Sequence, residues 1–577
     1  MQYKEFTKAV RDESKYKYPL NKVRLITTIR DMFDSSTLLY AENTAFLVKD
    51  VHGEPYREIS YAEFRRDVYA LGTALIALGL KDKKIAVVGE NRYEWALTYM
   101  ATVCGVGTIV PLDKELPENE LKTLIEMAKV SAVVYSEKMH KKFPELFSEN
   151  SQYICLNMDD DADDVSLKQL IKKGNELLAK GEDQFVTACP KADDVNILLF
   201  TSGTTGVAKG VMLSHRNIAS NLMNMSSMHN MRPELRFFSM LPIHHTYECT
   251  CGYLCPIYVG ASIAYCEGLK YIVKNMQEAH PSYFLAVPQV VESIYRQIWN
   301  NIRKQGKEKL VSKIIPISDF LLKFNIDIRR IVFKQVHESL GGSMQLFISG
   351  AAALDPEVTK GMRSFGLNVV QGYGLTECSP IAAVNRDIYW NDASVGQPPI
   401  EVEVKIDNPN EEGIGEILIK GENVMVGYYE NEEATRETIV DGWLHTGDMG
   451  YIDENDFIYI TGRLKNVIIT SNGKNVYPEE LETYLQRNPF IQECIVYGDK
   501  DNMGNETLIS AHIFPDFAAV KQELGEGYTD EAVRELIDKQ IKEINVNMAS
   551  YKKIQAFDIR KEEFVKTTTR KIKRHAN

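Results

Sequence analysis

A ten-residue loop rich in glycine and hydroxyl side chains carries the strongest chemical signal in the sequence. It reads TSGTTGVAKG, residues 201–210, and lies between the apolar run ILLF and the segment VMLSH. Its glycines let backbone amides approach an anion closely, and its hydroxyls and lysine can donate to that anion. A polyphosphate is the natural ligand. The candidate binding residues are Thr201, Ser202, Gly203, Thr204, Thr205, Gly206 and Lys209.

The end of this loop differs from the common nucleotide P-loop. That motif places a serine or threonine directly after its lysine, whereas Gly210 and Val211 follow Lys209 here. Because no hydroxyl is placed to hold magnesium, the sequence disfavours a P-loop phosphotransferase. A magnesium ligand has to come from another part of the chain.

A second candidate site is GYGLTE, residues 372–377, which follows an apolar run. Two glycines around the tyrosine open a tight passage, so an aromatic face, a hydroxyl and a carboxylate can face one pocket. Such a pocket can stack a base, contact a phosphate and hold a hard cation. A strand-ending turn with an exposed acid is the alternative, and the phosphate loop disfavours it. The candidate residues are Gly372, Tyr373, Gly374, Thr376 and Glu377.

Two further segments carry residues suited to a nucleotide. ISGAAAL, residues 348–354, ends in small residues that let a flat ring approach the backbone. HTGDMG sets Asp448 between two glycines, and a carboxylate that accepts two hydroxyls can hold a ribose. Considered singly, ISGAAAL fits tight helix packing equally well and Asp448 fits a turn.

Histidine and cysteine cluster in the segment that begins LPIHHTYECT at residue 241. A zinc site is conceivable there, but no pair has the Cys-x2-Cys spacing most typical of structural zinc, and the surrounding run is apolar. Core packing is favoured because free cysteine is a common buried residue. The residues concerned are His244, His245, Cys249, Cys251 and Cys255.

The elements that position these motifs alternate short β-rich runs with helices. From residue 83 to residue 135, and again from residue 217 to residue 374, the alternation predicts two doubly wound α/β lobes. After about residue 393 the helices stop, and short strands at about 394–461 predict a small β-barrel or sandwich. From residue 465 onward a mixed α+β segment follows. We therefore predict an α/β protein with a large N-terminal domain, residues 1–464, and a small mobile α+β domain, residues 465–577.

Composition excludes several classes of protein. The 577 residues carry a net charge of −13, which argues against general nucleic-acid binding, and the nine cysteines, an odd number, argue against a disulfide scaffold. The first thirty residues lack a secretory signal, and glycine and proline interrupt the two charge-free stretches, residues 95–112 and 249–266. We predict a cytoplasmic protein. Loose membrane contact and the oligomeric state stay open.

TSGTTGVAKG resembles the signature loop of the adenylate-forming superfamily, which includes the AMP-forming acyl-CoA synthetases, luciferases and peptide-synthetase adenylation domains. Four other motifs occur in the family's order: ISGAAAL, GYGLTE, HTGDMGYID through GRLKN at residues 445–466, and TTTRKIKR at residues 567–574. The resemblance implies that Tyr373 lies against adenine, that Thr376 contacts phosphate oxygens and that Glu377 binds Mg²⁺. It also implies that Gly350, Ala351 and Ala352 line the adenine and acyl side of the site.

The resemblance extends to the sugar, the hinge and the acyl pocket. It implies that Asp448 binds the ribose hydroxyls with support from Arg463, that Lys465 is the hinge and that Gly473 lines the CoA channel. His245 falls at the histidine of a motif that lines the acyl pocket. A conventional hairpin turn explains Gly473 equally well.

The terminal motif departs from the family pattern at two positions. Val565 stands where the family has proline, and Arg570 stands where it has glycine. The spacing still places Lys571 at the catalytic lysine. Because the turn geometry is altered, Lys566 and Lys573 stay open as alternatives for that role.

Together these motifs imply an AMP-forming ligase that joins a carboxylic acid to CoA, with ATP and CoA as substrates and Mg²⁺ as cofactor. The implied catalytic residues are Lys571, Glu377, Thr376 and His245. LPIHHTYE and the TTTRKIKR ending look most like bacterial long-chain acyl-CoA synthetases, so we predict a fatty acid of medium to long chain. A carrier-protein phosphopantetheine acceptor and a non-fatty acid stay open, and a nucleotide-binding regulator that has lost catalysis is disfavoured.

Overall fold

The computed structural model of the chain describes most of the sequence. The described residues are 3–4, 14, 16–147, 152–159, 165–201, 208–470, 474–500, 507–566 and 572–574. Some of the predicted site residues lie outside these ranges, namely Ser202, Gly203, Thr204, Thr205, Gly206, Gly473, Arg570 and Lys571.

The chain divides into two compact units. The first comprises residues 1–404, 419–444 and 455–457, and the second comprises residues 405–418, 445–454 and 458–577. The division therefore passes through the β-rich stretch as well as near residue 458. The predicted boundary at Lys465 stays a prediction.

The strands are numbered in chain order. They are β1 (Tyr3–Lys4), β2 (Val23–Arg24), β3 (Thr44–Val48), β4 (Arg57–Ser60), β5 (Lys84–Val88), β6 (Thr108–Leu112), β7 (Ala132–Tyr135), β8 (Ile154–Asn157), β9 (Val195–Thr201), β10 (Lys209–Ser214), β11 (Arg236–Ser239), β12 (Ser262–Tyr265), β13 (Tyr283–Ala286), β14 (Leu346–Ser349), β15 (Asn368–Gly374), β16 (Ile381–Val384), β17 (Val402–Asp407), β18 (Gly415–Gly421), β19 (Gly427–Tyr428), β20 (Ile439–Val440), β21 (Trp443–Ile452), β22 (Ile458–Arg463), β23 (Ile468–Ile469), β24 (Asn475–Val476), β25 (Ile491–Lys500), β26 (Thr507–Pro515) and β27 (Ala556–Ile559).

The α-helices are numbered in the same way. They are α1 (Ile29–Leu39), α2 (Tyr61–Ala77), α3 (Tyr93–Ala101), α4 (Glu118–Ala128), α5 (Glu137–Lys142), α6 (Leu167–Ala179), α7 (His215–Met228), α8 (Cys255–Val259), α9 (Ile272–Ala279), α10 (Pro288–Lys304), α11 (Glu308–Leu322), α12 (Arg329–Val332), α13 (Lys334–Ser339), α14 (Pro356–Ser364), α15 (Glu432–Thr438), α16 (Pro478–Gln486), α17 (Phe517–Leu524) and α18 (Asp530–Val546). Two π-helical segments, Thr102–Val106 and Tyr247–Leu254, and short 3₁₀ turns complete the set.

The first lobe is built on a seven-stranded sheet in the order β19-β10-β9-β6-β5-β7-β8. Its central strands pair in parallel, whereas β10 runs antiparallel to both β9 and β19. The apolar runs predicted as strands form β5, β6 and β7, and the helices between them form α3 and α4. The prediction of a doubly wound lobe is therefore confirmed.

The second lobe is built on an eight-stranded sheet in the order β16-β15-β14-β13-β11-β12-β3-β4. The run from β15 to β3 is parallel, and the two edge strands are antiparallel. Buried residues of α9, α10 and α14 pack with those of the sheet into one apolar core. The alternation predicted between residues 217 and 374 is present: the apolar runs FFSML, YFLAVP, LFIS and VVQGYG supply β11, β13, β14 and β15.

The start of α7 is fixed by a reciprocal cap that joins it to β10. The backbone N–H of Asn217 donates to Ser214 Oγ at 3.3 Å, and the backbone N–H of Ser214 donates to Asn217 Oδ1 at 2.8 Å. The Asn217 side-chain amide also donates to the carbonyls of Glu422 and Val424 at 2.8 and 2.7 Å. This cap anchors the chain that leads from the phosphate loop into α7.

The β-rich stretch forms a five-stranded sheet in the order β17-β18-β21-β20, with β22 paired to β21. One feature of this stretch differs from the prediction, because α15 is a short helix where none is expected. Asn431 starts it by accepting from the Ala434 amide at 3.0 Å, and asparagine is a strong N-cap residue. The helix is only seven residues long, which is too short to leave an apolar periodicity in the sequence.

The second unit contains a three-stranded sheet, β25-β26-β27, packed with α16, α17 and α18 around one apolar core. The mixed α+β character predicted from residue 465 onward is present, with strands β23 to β27 and helices α16 to α18. In the part of the chain that the structure describes, no helix has the length and apolar character needed to cross a bilayer.

Candidate active site

Two strands close the phosphate loop at its base. Thr201 ends β9 and faces Lys209, the first residue of β10, in antiparallel register. Thr201 Oγ1 donates to the Lys209 carbonyl at 3.5 Å. Lys209 Nζ lies 4.7 Å from the centroid of the Tyr428 ring, a cation–π arrangement. The predicted lysine is therefore held beside the loop by an aromatic face.

Tyr428 links the phosphate loop to the predicted metal ligand. Its hydroxyl donates to Glu377 Oε1 at 2.9 Å, and the Met425 amide donates to the Glu377 carbonyl at 2.8 Å. Burial, reinforced by the Glu377 charge, raises the pKa of Tyr428 well above its ordinary value, which keeps the hydroxyl a donor. Sequence reasoning missed Tyr428, because it is 51 residues from Glu377 and belongs to no motif that we identified.

GYGLTE meets the histidine-containing segment through two threonines. Thr246 Oγ1 donates to Thr376 Oγ1 at 3.0 Å, just where a 3₁₀ turn, Thr376–Cys378, follows β15. Gly374 makes this turn possible, because a Cβ there would lie 1.6 Å from the Pro380 carbonyl oxygen. The predicted phosphate-contacting threonine is thus oriented by a hydroxyl that sequence reasoning did not single out.

The same segment reaches ISGAAAL. The Tyr247 hydroxyl donates to the Ile348 carbonyl at 2.7 Å, and the Tyr247 ring packs so close to Gly350 that a Cβ there would lie 3.0 Å from it. Ala351 follows with a φ of +72°, a left-handed conformation that is uncommon for alanine. Ala351 and Ala352 are both exposed. Three motifs that are far apart in the sequence therefore meet around residues 246 and 247.

His245 is a neutral imidazole near neutral pH. Burial, with a smaller contribution from the neighbouring His244, lowers the pKa of His245 to about 4. Its Nδ1 faces the Tyr247 amide at 3.4 Å, so the ring proton belongs on Nε2. An uncharged ring suits the apolar acyl pocket that the resemblance implies.

Glu248 is a buried acid that sequence reasoning also missed. It is 1% exposed, and among the described residues neither carboxyl oxygen has a partner with hydrogen-bond geometry. Burial raises the pKa of Glu248 to about 8, and the nearby Ser239 opposes that rise only weakly. Glu248 is therefore protonated at neutral pH. Burial also raises the pKa of the Cys249 and Cys255 thiols to about 12, as expected for packed core cysteines.

The second unit carries the predicted ribose-binding pair. Asp448 on β21 lies directly opposite Arg463 on β22, and Arg463 Nε lies 2.6 Å from Asp448 Oδ1. Asp448 is 4% exposed, whereas the Arg463 side chain is 31% exposed, so only the carboxylate of the pair is shielded from water. Gly450 permits the close strand pairing, because a Cβ there would lie 2.2 Å from the Tyr459 carbonyl oxygen.

Lys465 lies in a cluster of charged residues at the end of β22. Burial, then repulsion from Arg463 and Arg574, lowers its pKa. Arg574 forms an ion pair with Glu482 and lies 3.7 Å from Glu479. Burial raises the pKa of Glu482 to about 7 although Arg574 opposes the rise. Arg574 is thus engaged within its own unit.

The described residues on either side of Lys571 are paired with each other. Lys566 and Ile572 form an antiparallel bridge, and the Lys573 amide donates to the Val565 carbonyl at 2.8 Å. Lys566 forms ion pairs with Glu493 and, at 2.9 Å, with Glu563, and its side chain is only 10% exposed. These contacts disfavour Lys566 as the catalytic lysine. Lys571 itself lies outside the described residues.

Two family descriptions match the chain. Residues 37–429 match AMP-binding enzymes, and residues 465–577 match the AMP-binding enzyme C-terminal domain. Among individual relatives, a long-chain-fatty-acid–CoA ligase of Mus musculus is 28% identical over 505 residues, covering 82% of this chain and 75% of that protein. Another from Mycobacterium bovis is 25% identical over 559 residues, covering 90% of each.

Solved structures show the same fold. An anthranilate CoA ligase in complex with anthranoyl-AMP superposes with a TM-score of 0.75 at 20% identity, covering 96% of this chain and 97% of that one. An o-succinylbenzoate CoA synthetase of Bacillus subtilis, in complex with ATP and a magnesium ion, superposes with a TM-score of 0.70 at 20% identity, covering 94% and 98%. The α/β prediction with a small C-terminal α+β domain is confirmed by this likeness.

The buried carboxyl of Glu248 predicts a pH dependence of stability. The unfolded chain releases the Glu248 proton near pH 4.5, whereas the folded protein retains it to about pH 8. Stability should therefore fall as pH rises through this window, with a slope from this group of up to about 1.4 kcal/mol per pH unit. Glu248→Gln removes the titrating group. The Tm of the variant minus that of the wild type should increase from about pH 5 to about pH 8.

The exposed acid Glu182 provides the matched control. Glu182→Gln should shift Tm by the same small amount at every pH in that window. A Glu248→Gln difference that is equally flat would contradict the raised pKa.

Proposed function

The chain belongs to the family of AMP-binding enzymes, and from that membership and the geometry of the first unit we propose that it activates a fatty acid as its acyl-adenylate and transfers the acyl group to CoA. The observation that carries the proposal is the meeting of three motifs. The hydrogen bond from Thr246 to Thr376 and the packing of Tyr247 on Gly350 bring them together. The link from Lys209 through Tyr428 to Glu377 adds the phosphate loop to the same site.

The first half-reaction needs neutralisation of charge rather than an enzyme nucleophile. A carboxylate oxygen of the acid attacks the α-phosphorus of ATP, a P–O bond forms, and pyrophosphate leaves with the electron pair of the broken bond. Lys209 supplies positive charge beside the phosphate loop, and the hydroxyl of Thr376 can donate to an α-phosphate oxygen. Such contacts are effective in a closed cleft because charges attract more strongly at low effective dielectric.

Glu377 is suited to hold Mg²⁺. Its carboxylate offers hard oxygen ligands. The neutral hydroxyl of Tyr428 orients one of these oxygens and does not neutralise the carboxylate charge, which stays available to a metal ion. Bound Mg²⁺ would offset the negative charge of the phosphates. The Thr376 hydroxyl is the neighbouring oxygen on the same turn.

The second half-reaction replaces AMP by sulfur. The CoA sulfur attacks the acyl carbon and loses its proton, and AMP leaves with the oxygen that the acid first contributed. The neutral His245 and exposed Ala351 and Ala352 are suited to line the acyl side, because none of them adds charge to an apolar chain.

Further assignments of the sequence stay proposals with their own support. Asp448 and Arg463 form a pair suited to ribose hydroxyls. A hinge at Lys465 is supported by the match to the C-terminal family domain, which begins at residue 465. A cytoplasmic location and a role for Gly473 in a CoA channel rest on the sequence. The long-chain relatives support a fatty acid over an aromatic acid, and their names support CoA over a carrier protein.

A series of acids tests the substrate. Fatty acids of graded length, acetate and benzoate are assayed by pyrophosphate release with ATP and Mg²⁺, with and without CoA. A medium or long fatty acid should give the highest kcat/KM, and thioester should form with CoA. The fatty-acid assignment fails if acetate or benzoate exceeds every fatty acid, and the CoA assignment fails if only a phosphopantetheinyl carrier protein accepts the acyl group.

Lys571→Ala tests the terminal lysine. Loss of its positive charge should slow acyl-AMP formation by roughly 100-fold or more, while thioester formation from supplied acyl-AMP changes little. Lys573→Ala, two residues away, tests the alternative lysine, and it should retain both half-reactions if Lys571 has the role. An equal loss of both half-reactions in Lys571→Ala would remove its proposed role.

Tyr428→Phe tests the link to Glu377. The variant keeps the ring beside Lys209 but removes the hydrogen bond to the carboxylate, so the Mg²⁺ concentration needed for half-maximal pyrophosphate release should rise about 10-fold. Glu377→Gln should raise it further. Tyr429→Phe, at the adjacent residue, should leave the Mg²⁺ titration unchanged. Unchanged titrations for both Tyr428→Phe and Glu377→Gln would refute the ligand assignment.

A further inference from the structure

The segment that contains α11 and α12 exposes a row of large apolar side chains. Leu310, Ile317, Phe320 and Phe324 are each between 56 and 63% exposed. With Lys313 they follow helical spacing along one side of α11 and just beyond its end. The ring centroids of Phe320 and Phe324 are 5.3 Å apart. We call these five residues the α11 face.

The opposite side of α11 is already packed. Val311 and Ser318 are buried, and Ile314 and Ile315 pack partly against the core of the second lobe. The exposure of the α11 face therefore does not come from a helix that fails to pack on the protein. The helix is anchored by one side and presents a second apolar side to its surroundings.

Basic side chains accompany this apolar face. Residues 304–334 contain eight lysines and arginines and three acids, whereas the whole chain has a net charge of −13. Some of the basic residues are paired, as Arg329 is with Asp327 at 2.8 Å. Within the described ranges, no acidic side chain lies within ion-pairing distance of the exposed Lys309, Lys313 or Lys323.

We infer that the α11 face docks the protein on the surface of an anionic lipid bilayer. Phe320 and Phe324 would enter the boundary between headgroups and acyl chains, while the lysines beside them meet lipid phosphates. An amphipathic helix with aromatic and aliphatic residues on one side and lysines at its margins has the chemistry of an interfacial helix. Since α11 is only 15 residues long and packs against the core, it lies on the bilayer and does not cross it.

Charge complementarity selects a bilayer over a second copy of the chain. Two copies meeting through this face would bring unpaired lysines of like charge together, which disfavours association. The exposed apolar surface also continues beyond α11. Ile331 on α12 is 78% exposed, and Ile326 lies in the turn between the two helices.

Vesicle binding by the full chain tests the inference without any enzyme substrate. The probes are vesicles of phosphatidylcholine alone and of phosphatidylcholine mixed with phosphatidylglycerol, and flotation measures the bound fraction. The wild type should bind the mixed vesicles, bind phosphatidylcholine weakly, and be released by salt because exposed charges are screened. Because no acid, ATP or CoA is present, the result is independent of the proposed ligase reaction.

Two variants separate the apolar side chains of the face from the lysines at and beside it. Phe320→Ser with Phe324→Ser, and Lys313→Glu with Lys323→Glu, should each weaken binding to the mixed vesicles by at least about 10-fold. Leu38→Ser and Lys180→Glu change an exposed leucine and an exposed lysine elsewhere in the first unit and serve as matched controls. Both should bind like the wild type.

The readouts also distinguish misfolding and other partners. The variants of the α11 face should keep the wild-type Tm. The inference would be overturned if the wild type did not bind the mixed vesicles, or if variants of the α11 face bound them as strongly as the wild type. It would also be overturned if the wild type formed a concentration-dependent dimer that Phe320→Ser with Phe324→Ser dissociates, because the face would then join two copies.

Discussion

Parallel pairing of β13, β14 and β15 is the constraint on which the candidate site depends. Leu285, Ile348 and Val370 lie side by side in register, so all three strands end at the same edge of the sheet. Parallel strands deliver the loops that follow them to one edge, which is where α/β proteins bind ligands. Thr246 bonds to the turn that follows β15 and Tyr247 bonds to the end of β14, so two hydrogen bonds fix the histidine-containing segment at this edge.

The contrast between two lysines explains how an acidic protein can bind anions. Lys566 forms ion pairs with Glu493 and Glu563, so its positive charge is neutralised within the protein. Lys209 instead lies over the neutral ring of Tyr428, which holds the side chain without neutralising it. A net charge of −13 is compatible with polyphosphate binding because the cationic groups that matter are few and are left available.

The two buried acids Glu248 and Glu482 are accommodated in different ways. Glu248 has no partner with hydrogen-bond geometry among the described residues and is kept neutral by burial, whereas Glu482 is paired with Arg574. A neutral carboxylic acid avoids the large desolvation penalty of a buried charge and still lines an apolar segment next to His245. Glu248 and His245 are accordingly both uncharged near neutral pH, whereas Lys313 and Lys323 are exposed.

The fold class, the order of the lobes and the motifs could all be predicted from the sequence, because strand and helix periodicities are local and the loop residues are contiguous. The sequence identified Lys209, Glu377 and the pair Asp448 and Arg463 as candidates, and it missed α15, which is too short to show a period. The folded chain was needed to show that Tyr428 joins Lys209 to Glu377 and that Lys566 is paired with Glu493. These contacts join residues that are 51 to 219 positions apart, and strand register and packing determine the partners, which no local spacing encodes.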